Sequence, residues 1–192
     1  NQIWATYYGI YWSFMIKANE NGVYLTAMTQ DCPPNGIYNT YYGTTGVHQP
    51  VPASCRDIVL TKFDIEGQRV WSTYYGGSSV EGFTGKNTID LRGDTIYFTG
   101  NAVNYNNQEI ATTGSYLPNV VGASNFIAQF NDDCTRNFGT YNGSGNSATG
   151  LTTNVLVGEE VNLFYNYGTT GYTQNIATTD GYKTGVNGTG KD

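Results

Sequence analysis

Charged residues are scarce in this chain of 192 residues: Asp, Glu, Lys and Arg together make up 12%. The nine Lys and Arg residues are scattered and the net charge is -6, which argues against nucleic acid because phosphates are neutralised by clustered cations. No run of 18 apolar residues occurs, so the sequence predicts no membrane insertion. The chain opens without the basic and apolar stretches of a signal peptide, which fits a mature or excised fragment as well as a cytosolic protein.

Catalytic motifs are also missing. The sequence has no GxGxxG, P-loop, HExxH, CxxC or GxSxG pattern. His48 is the only histidine, which excludes metal sites built from several histidines. Glycoside hydrolysis needs two converging carboxylates, whereas the acidic residues lie mostly in turn-like stretches. We therefore predict no catalytic residue and no enzymatic activity. The turn acids are Asp64, Glu66, Asp132, Asp133, Glu159 and Glu160.

Three cysteines leave one without a partner. Cys32 and Cys55 flank a Pro-, Gly- and Tyr-rich excursion, and a disulfide between them would close a loop worth roughly 3 to 4 kcal/mol. We take this pair as the disulfide candidate. Cys134 lies in a turn-like stretch with no Cys or His within metal-ligand spacing, so no metal site is predicted. Residues 131–133 carry side-chain oxygens of the kind that bind Ca²⁺, so a weak Ca²⁺ site at this stretch remains an alternative.

What the chain has in abundance is Gly (25) and Tyr (17). Aromatic and β-branched residues favour strands, and Gly and Asn favour the turns between them. The composition therefore predicts an all-β fold with many short strands.

A short stretch recurs at an even pitch. "WSTYYGG" at 71–77 has a close copy at 4–10 and a worn copy at 138–144, so that Trp4, Trp71 and Phe138 are spaced by 67 and 67 residues. Three other landmarks recur in fixed order, with offsets of 66 to 73 residues. They begin with "GVYLTA" at 22–27, "TTGVHQ" at 44–49 and "DIVLTKFD" at 57–64.

Each landmark alternates as a strand does. In "SNFIAQFN" the pattern places Phe126, Ala128 and Phe130 on one face, and "NTIDLRGDTIYFTG" predicts two strands joined by a tight turn at 92–94. The "RGD" in that turn matches the tripeptide of integrin ligands, but we interpret it as turn chemistry. About four antiparallel strands per unit are typical of a β-propeller blade.

Together these motifs resemble the bacterial seven-bladed β-propeller repeat, abbreviated SBBP, across essentially the whole chain. The third copy departs from its pattern at Phe138 and Asn142. The resemblance implies about three four-stranded blades, an incomplete ring or part of a larger propeller, with repeats at approximately 1–67, 68–134 and 135–192, the last truncated. Flanking blades of a longer chain, or neighbouring chains, would complete it.

The resemblance also implies a secreted or surface protein of a Bacteroidota-type bacterium, serving as an extracellular, non-enzymatic binding, adhesion or scaffold module. Its partner would be a glycan or a protein. One alternative is a structural subunit of a fibre or multi-chain assembly completed by strand sharing. Another is part of a propeller carbohydrate-active enzyme.

Exposed aromatic rings are the candidate ligand contacts, because sugars stack on them. Tyr8, Tyr11, Trp12 and Tyr75 are the candidates, although core and inter-blade packing is the competing interpretation of the same residues. His48 takes a position that holds Tyr116 and Tyr182 in the other copies, which predicts a packed aromatic slot for it.

Overall fold

The computed structural model describes most of the chain, and every regular element in the described part is a β-strand. In the last hairpin and at 12–14, 103 and 143–145 only the backbone is described. The described residues are 3–9, 12–30, 40–82, 88–103, 110–120, 122–145, 152–157 and 162–167.

The first sheet is a four-stranded antiparallel meander in chain order. A tight turn joins its first two strands, where the Asn21 backbone N–H donates to the Asn19 side chain at 2.9 Å. The long connection of the sheet runs from the second strand to the third. The strands are β1 (Trp12–Asn19), β2 (Gly22–Met28), β3 (Ile58–Phe63) and β4 (Arg69–Tyr75).

The second sheet has the same plan with a divided first strand. Both β5 and β6 pair with one edge of β7, while β8 pairs with the other edge, so five strands fill four positions. A separate hairpin follows, and its first strand lies against β6 and β7. These strands are β5 (Val80–Gly82), β6 (Ile89–Arg92), β7 (Thr95–Val103), β8 (Ala123–Asn131), β9 (Arg136–Gly145), β10 (Thr152–Val157) and β11 (Asn162–Tyr167).

The strand registers of the two sheets match at the 67-residue pitch. Ile58 pairs with Tyr75 in the first sheet, and Asn125 pairs with Asn142 in the second. Each pair of strands also shifts register at the same place, between Lys62 and Phe63 in one sheet and between Gln129 and Phe130 in the other. The sequence recurrence is therefore also a recurrence of backbone pairing.

The two sheets meet through faces that are not equivalent. The first sheet contributes Ile58, Leu60 and Trp71 to the shared core, and we call this its inner face. The second sheet contributes Phe126 and Phe130, whose counterparts 67 residues earlier lie on the opposite, outer face of the first sheet. This is a head-to-tail arrangement, in which each unit offers one face forwards and the other backwards.

The outer face of the first sheet is covered in part by residues 3–9. The Trp4 indole N–H donates to the Ile65 carbonyl at 2.9 Å, as the Trp71 indole donates to the Asp132 carbonyl at 2.8 Å. Tyr8 packs edge-on to Phe63, with ring centroids 5.4 Å apart. We call this contact the outer seam, and the contact between the two sheets the inner seam.

The strand predicted over the first "WATYYGI" copy is wrong. Residues 3–9 lie outside every strand. They lie on the face of the first sheet and not along one of its edges, so ladder hydrogen bonds with that sheet cannot form.

Loops carrying "TTG" cover the outer edge of the fourth strand in each sheet. In the first sheet the Thr44 N–H donates to the Ser72 carbonyl, and the Tyr74 N–H donates to the Gln49 carbonyl, both at 2.9 Å. In the second sheet Thr112 donates to the Gly139 carbonyl at 2.8 Å. The loops that carry "TTG" therefore provide hydrogen-bond partners for backbone groups of β4 and β9 that would otherwise leave an edge open to pairing with other chains.

Several local predictions are confirmed. Phe126, Ala128 and Phe130 are fully buried together on one face of β8. In the "RGD" stretch Arg92 ends β6, and Gly93, at a φ of 53°, and Asp94 form the turn to β7. The all-β class is confirmed. No helix of the described part is long and apolar enough to cross a membrane.

Candidate functional sites

The structure separates the four predicted aromatic candidates. Tyr75 is 1% exposed and donates to the Ile110 carbonyl at 2.5 Å, with Phe98, Phe126 and Phe130 around its ring. Because no ring face is open, we withdraw Tyr75 as a ligand contact. Burial also raises its pKa well above the usual value.

The other three candidates differ in what the structure describes. Tyr8 is half-buried, and its hydroxyl lies 2.8 Å from the Thr61 hydroxyl and 3.1 Å from that of Ser72. Tyr11 lies outside the described residues, as does the side chain of Trp12. Of the four, only Tyr8 is seen to keep part of its ring at the surface.

An exposed aromatic group lies beside Tyr8 and was missed in the sequence. Tyr42 packs edge-on to Tyr8 and Tyr41, with centroids 5.6 and 5.3 Å away, and its hydroxyl donates to the Gly9 carbonyl. Tyr41 is 64% exposed, and the Arg69 guanidinium lies 5.6 Å from its ring centroid. We call Tyr8, Tyr41, Tyr42 and Arg69 the tyrosine platform.

Asp57 is a fully buried carboxyl immediately before β3. Its oxygens accept hydrogen bonds from the Ala53 N–H at 2.7 Å, from the Ser54 N–H and hydroxyl at 3.1 and 2.9 Å, and from the Gln49 amide at 3.1 Å. Burial outweighs these bonds, which favour the charged form, and raises the pKa of Asp57 to about 6.

A second buried carboxyl approaches Asp57 from the other sheet. Glu81 in β5 is also fully buried, and its backbone N–H donates to the Arg56 carbonyl at 2.9 Å. A Cβ built on Gly76 would lie 2.6 Å from Glu81 Oε2 and 2.9 Å from Asp57 Oδ1. The two carboxyls thus converge on Gly76, at the end of the inner seam.

This pair satisfies one requirement for acid–base chemistry and fails another. Two carboxyls converge and one has a raised pKa, as a glycosidase requires. Both side chains, however, have no exposed surface, so a substrate cannot reach either one in this structure. The arrangement acts as a buried polar joint between the two sheets.

Asp132 links the two sheets by an ion pair. The Lys62 ammonium lies 2.7 and 2.6 Å from its two carboxylate oxygens, and the Tyr24 hydroxyl donates to the same group. The Asp132 carboxylate, which we expected as a Ca²⁺ ligand, is therefore already bound by the Lys62 ammonium and the Tyr24 hydroxyl. Asp133 is exposed, and a bond from the Thr135 N–H at 2.9 Å holds its pKa below the usual value. The described residues contain no group of three His, Cys, Asp or Glu that could hold a metal.

His48 occupies an aromatic slot in the inner seam. Its ring lies 5.8 Å from that of Tyr75 and 5.5 Å from that of Phe130. Burial and then the nearby Arg136 charge lower its pKa to about 4, so His48 is neutral at pH 7. Its counterpart Tyr116 is 55% exposed, while Tyr182 lies outside the described residues.

The cysteines fall into two environments. Cys55 is disulfide-bonded; Cys32, the other half of the predicted pair, lies outside the described residues. Cys134 is a free, buried thiol at a φ of 72°, in a turn whose counterpart has Gly67 at 84°. Burial raises the pKa of the Cys134 thiol to about 11, so it is unreactive at pH 7.

Comparison with known proteins adds no family or relative. No family model matches the chain, and no curated protein matches it.

Proposed function

We propose that the chain is a group of β-propeller blades serving as a non-enzymatic binding or scaffold module outside a bacterial cell. One observation carries the proposal: the four-stranded and the five-stranded sheet repeat their strand registers at a 67-residue pitch and meet through opposite faces. Radial blades stack in this way, because each blade presents one face to the blade before it and the other to the blade after it.

The lack of enzymatic activity is part of the same proposal. Among the described residues, Asp57 and Glu81 converge between the sheets, and neither is exposed. The stacked sheets provide a rigid support, and binding residues commonly lie on loops that such a support positions.

The tyrosine platform is the surface we assign to ligand binding. Tyr41 comes from the loop that covers the edge of β4, and Arg69 opens β4 itself. An exposed phenol ring beside a guanidinium suits a ligand that combines a flat apolar face with hydroxyl or carboxylate groups, as glycans do.

Glycan-array screening of the chain tests this proposal, with Tyr41→Ala and Arg69→Ala as variants. We expect a glycan signal from the unaltered chain and at least a tenfold loss in each variant. Val51→Ala is the matched control, because Val51 is also exposed (54%) but lies outside the platform. The absence of any signal, or equal signals in all four proteins, would contradict the assignment. Release of sugar from a bound glycan would contradict the non-enzymatic part.

A further inference from the structure

The outer face of the first sheet carries an exposed apolar strip on β1. Ile16 pairs with Leu25 and is 52% exposed. Its counterpart in the second sheet, Ile89, pairs with Phe98 at the equivalent position and is fully buried in the inner seam. Ala18, the next residue on the same face of β1, is also exposed. Equivalent positions are thus covered at one seam and open at the other.

Among the described residues, 3–9 lie in front of this face, at one of its four strand places. Trp4 and Tyr8 contact the outer face as Trp71 and Tyr75 of β4 contact the second sheet. They therefore stand where the fourth strand of a preceding unit would lie. The strip on β1 is what the first strands of such a unit would cover.

The β10–β11 hairpin, which lies against β6 and β7 of the second sheet, offers strands of the complementary kind. β1, in the first sheet, lies against β6 of the second sheet, and β6 in turn lies against β10. The β10–β11 hairpin is therefore the next unit in the stack. The hairpin supplies the first two strand positions of that unit, because β11 echoes β7 in sequence.

Polar groups at the inner seam show how one unit aligns with the next at its first strand. Lys17 forms an ion pair with Asp90 at 3.2 Å, and the Asn19 amide donates to the Gly93 carbonyl at 3.0 Å. The backbone turn between the first two strands of one unit therefore lies beside the same turn of its neighbour.

We propose that the outer face of the first sheet, through the Ile16 and Ala18 strip beside residues 3–9, binds the β10–β11 hairpin of a second copy of this chain. The contact continues the stacking on which the proposed function rests. It is heterologous, so copies joined in this way close into a ring or grow into a filament.

Sedimentation velocity and light scattering over a hundredfold range of concentration test the proposal, with Ile16→Lys as the disrupting variant. We expect the unaltered chain to associate with rising concentration and the dissociation constant to rise at least tenfold in Ile16→Lys. The control is Val51→Lys, which makes the same change at a residue of similar exposure (54%) away from the strip. Circular dichroism and thermal unfolding check that both variants remain folded.

A monomer at every concentration overturns the inference, and so does association that Ile16→Lys leaves unchanged. These results are independent of the glycan array. A monomer that binds glycans leaves the proposed function standing and removes only the docking surface. A self-associating chain that binds no glycan keeps the docking surface and removes the assignment of the tyrosine platform.

Discussion

The two seams of this molecule are built from equivalent positions 67 residues apart, and they differ in how fully they are covered. At the inner seam Tyr75 is buried and donates to a backbone carbonyl; at the outer seam Tyr8 is half-buried and meets two hydroxyls. Lys62 and Asp132 join the sheets at the inner seam, whereas Ile65, the counterpart of Asp132, is 61% exposed. The same motif is therefore covered to different extents at the two seams, and we expect it to contribute more to stability at the inner one.

The largest expected difference concerns Gly139. A Cβ at Gly139 would overlap the Ile110 carbonyl and the Tyr75 hydroxyl inside the inner seam. We expect Gly139→Ala to lower the free energy of unfolding by about 3 kcal/mol, since closed packing leaves no room for relaxation. Urea unfolding measures the change. Gly9→Ala is the control at the outer seam, because a Cβ there meets nothing within 4 Å. Equal stability of the two variants would contradict the distinction between the seams.

The ion pair gives the next largest effect. Asp132→Asn should cost about 2 kcal/mol, because it leaves the Lys62 ammonium, whose side chain is 10% exposed, without its carboxylate. This is less than the 3 to 5 kcal/mol of a fully buried pair, since the Asp132 side chain is itself 29% exposed. Ile65→Asn at the equivalent exposed position should change the free energy of unfolding by less than about 0.5 kcal/mol. The prediction fails if the two substitutions cost the same in chemical denaturation.

The two tyrosine hydroxyls give a smaller difference. Tyr75→Phe removes a buried donor from the Ile110 carbonyl and should cost about 1 kcal/mol. Tyr8→Phe should cost only a few tenths of about 1 kcal/mol, because the Thr61 and Ser72 hydroxyls already form a hydrogen bond with each other at 2.7 Å. Thermal unfolding of both variants, referred to the unaltered chain, checks the ranking. A larger loss for Tyr8→Phe would reverse our interpretation of the two seams.

The sequence predicted the structural features that depend on the local pattern of apolar and turn-forming residues. Alternation located the buried face of β8, and the "RGD" turn followed from its glycine and its flanking strands. It did not predict that residues 4–8 would lie on a sheet face, because a strand needs a neighbouring edge and the pattern carries no information about which edge is present.

The polar contacts between the sheets were missed for a related reason. Asp132 was taken as a solvated turn residue, since its partner Lys62 is 70 positions away in the chain. Asp57 and Glu81 converge only after the two sheets stack. One signal was available: a lysine and an aspartate stand in or beside the apolar run "DIVLTKF" (57–63), in a chain where charge is scarce.

The last expected effect is a change of slope with pH, and it separates two groups of the inner seam. The pKa of His48 is lowered to about 4 from 6.5, so its neutral form supplies stability above pH 6.5 that is lost as the pH falls towards 4. The pKa of Asp57 is raised to about 6 from 3.8, so its stability is present below pH 3.8 and is lost as the pH rises through 6. In the unaltered chain the two slopes oppose each other.

Substituting each group in turn should reveal the other. In His48→Tyr, which adopts the residue found at Tyr116, stability should fall as the pH rises from 4 to 6. In Asp57→Asn it should fall as the pH drops from 6.5 to 4. Urea midpoints at pH 4, 5, 6 and 7 measure both slopes. If the three proteins gave parallel profiles, neither group would govern the pH response of the inner seam, and the charge-free packing of its aromatic residues would be left as the main source of its closure.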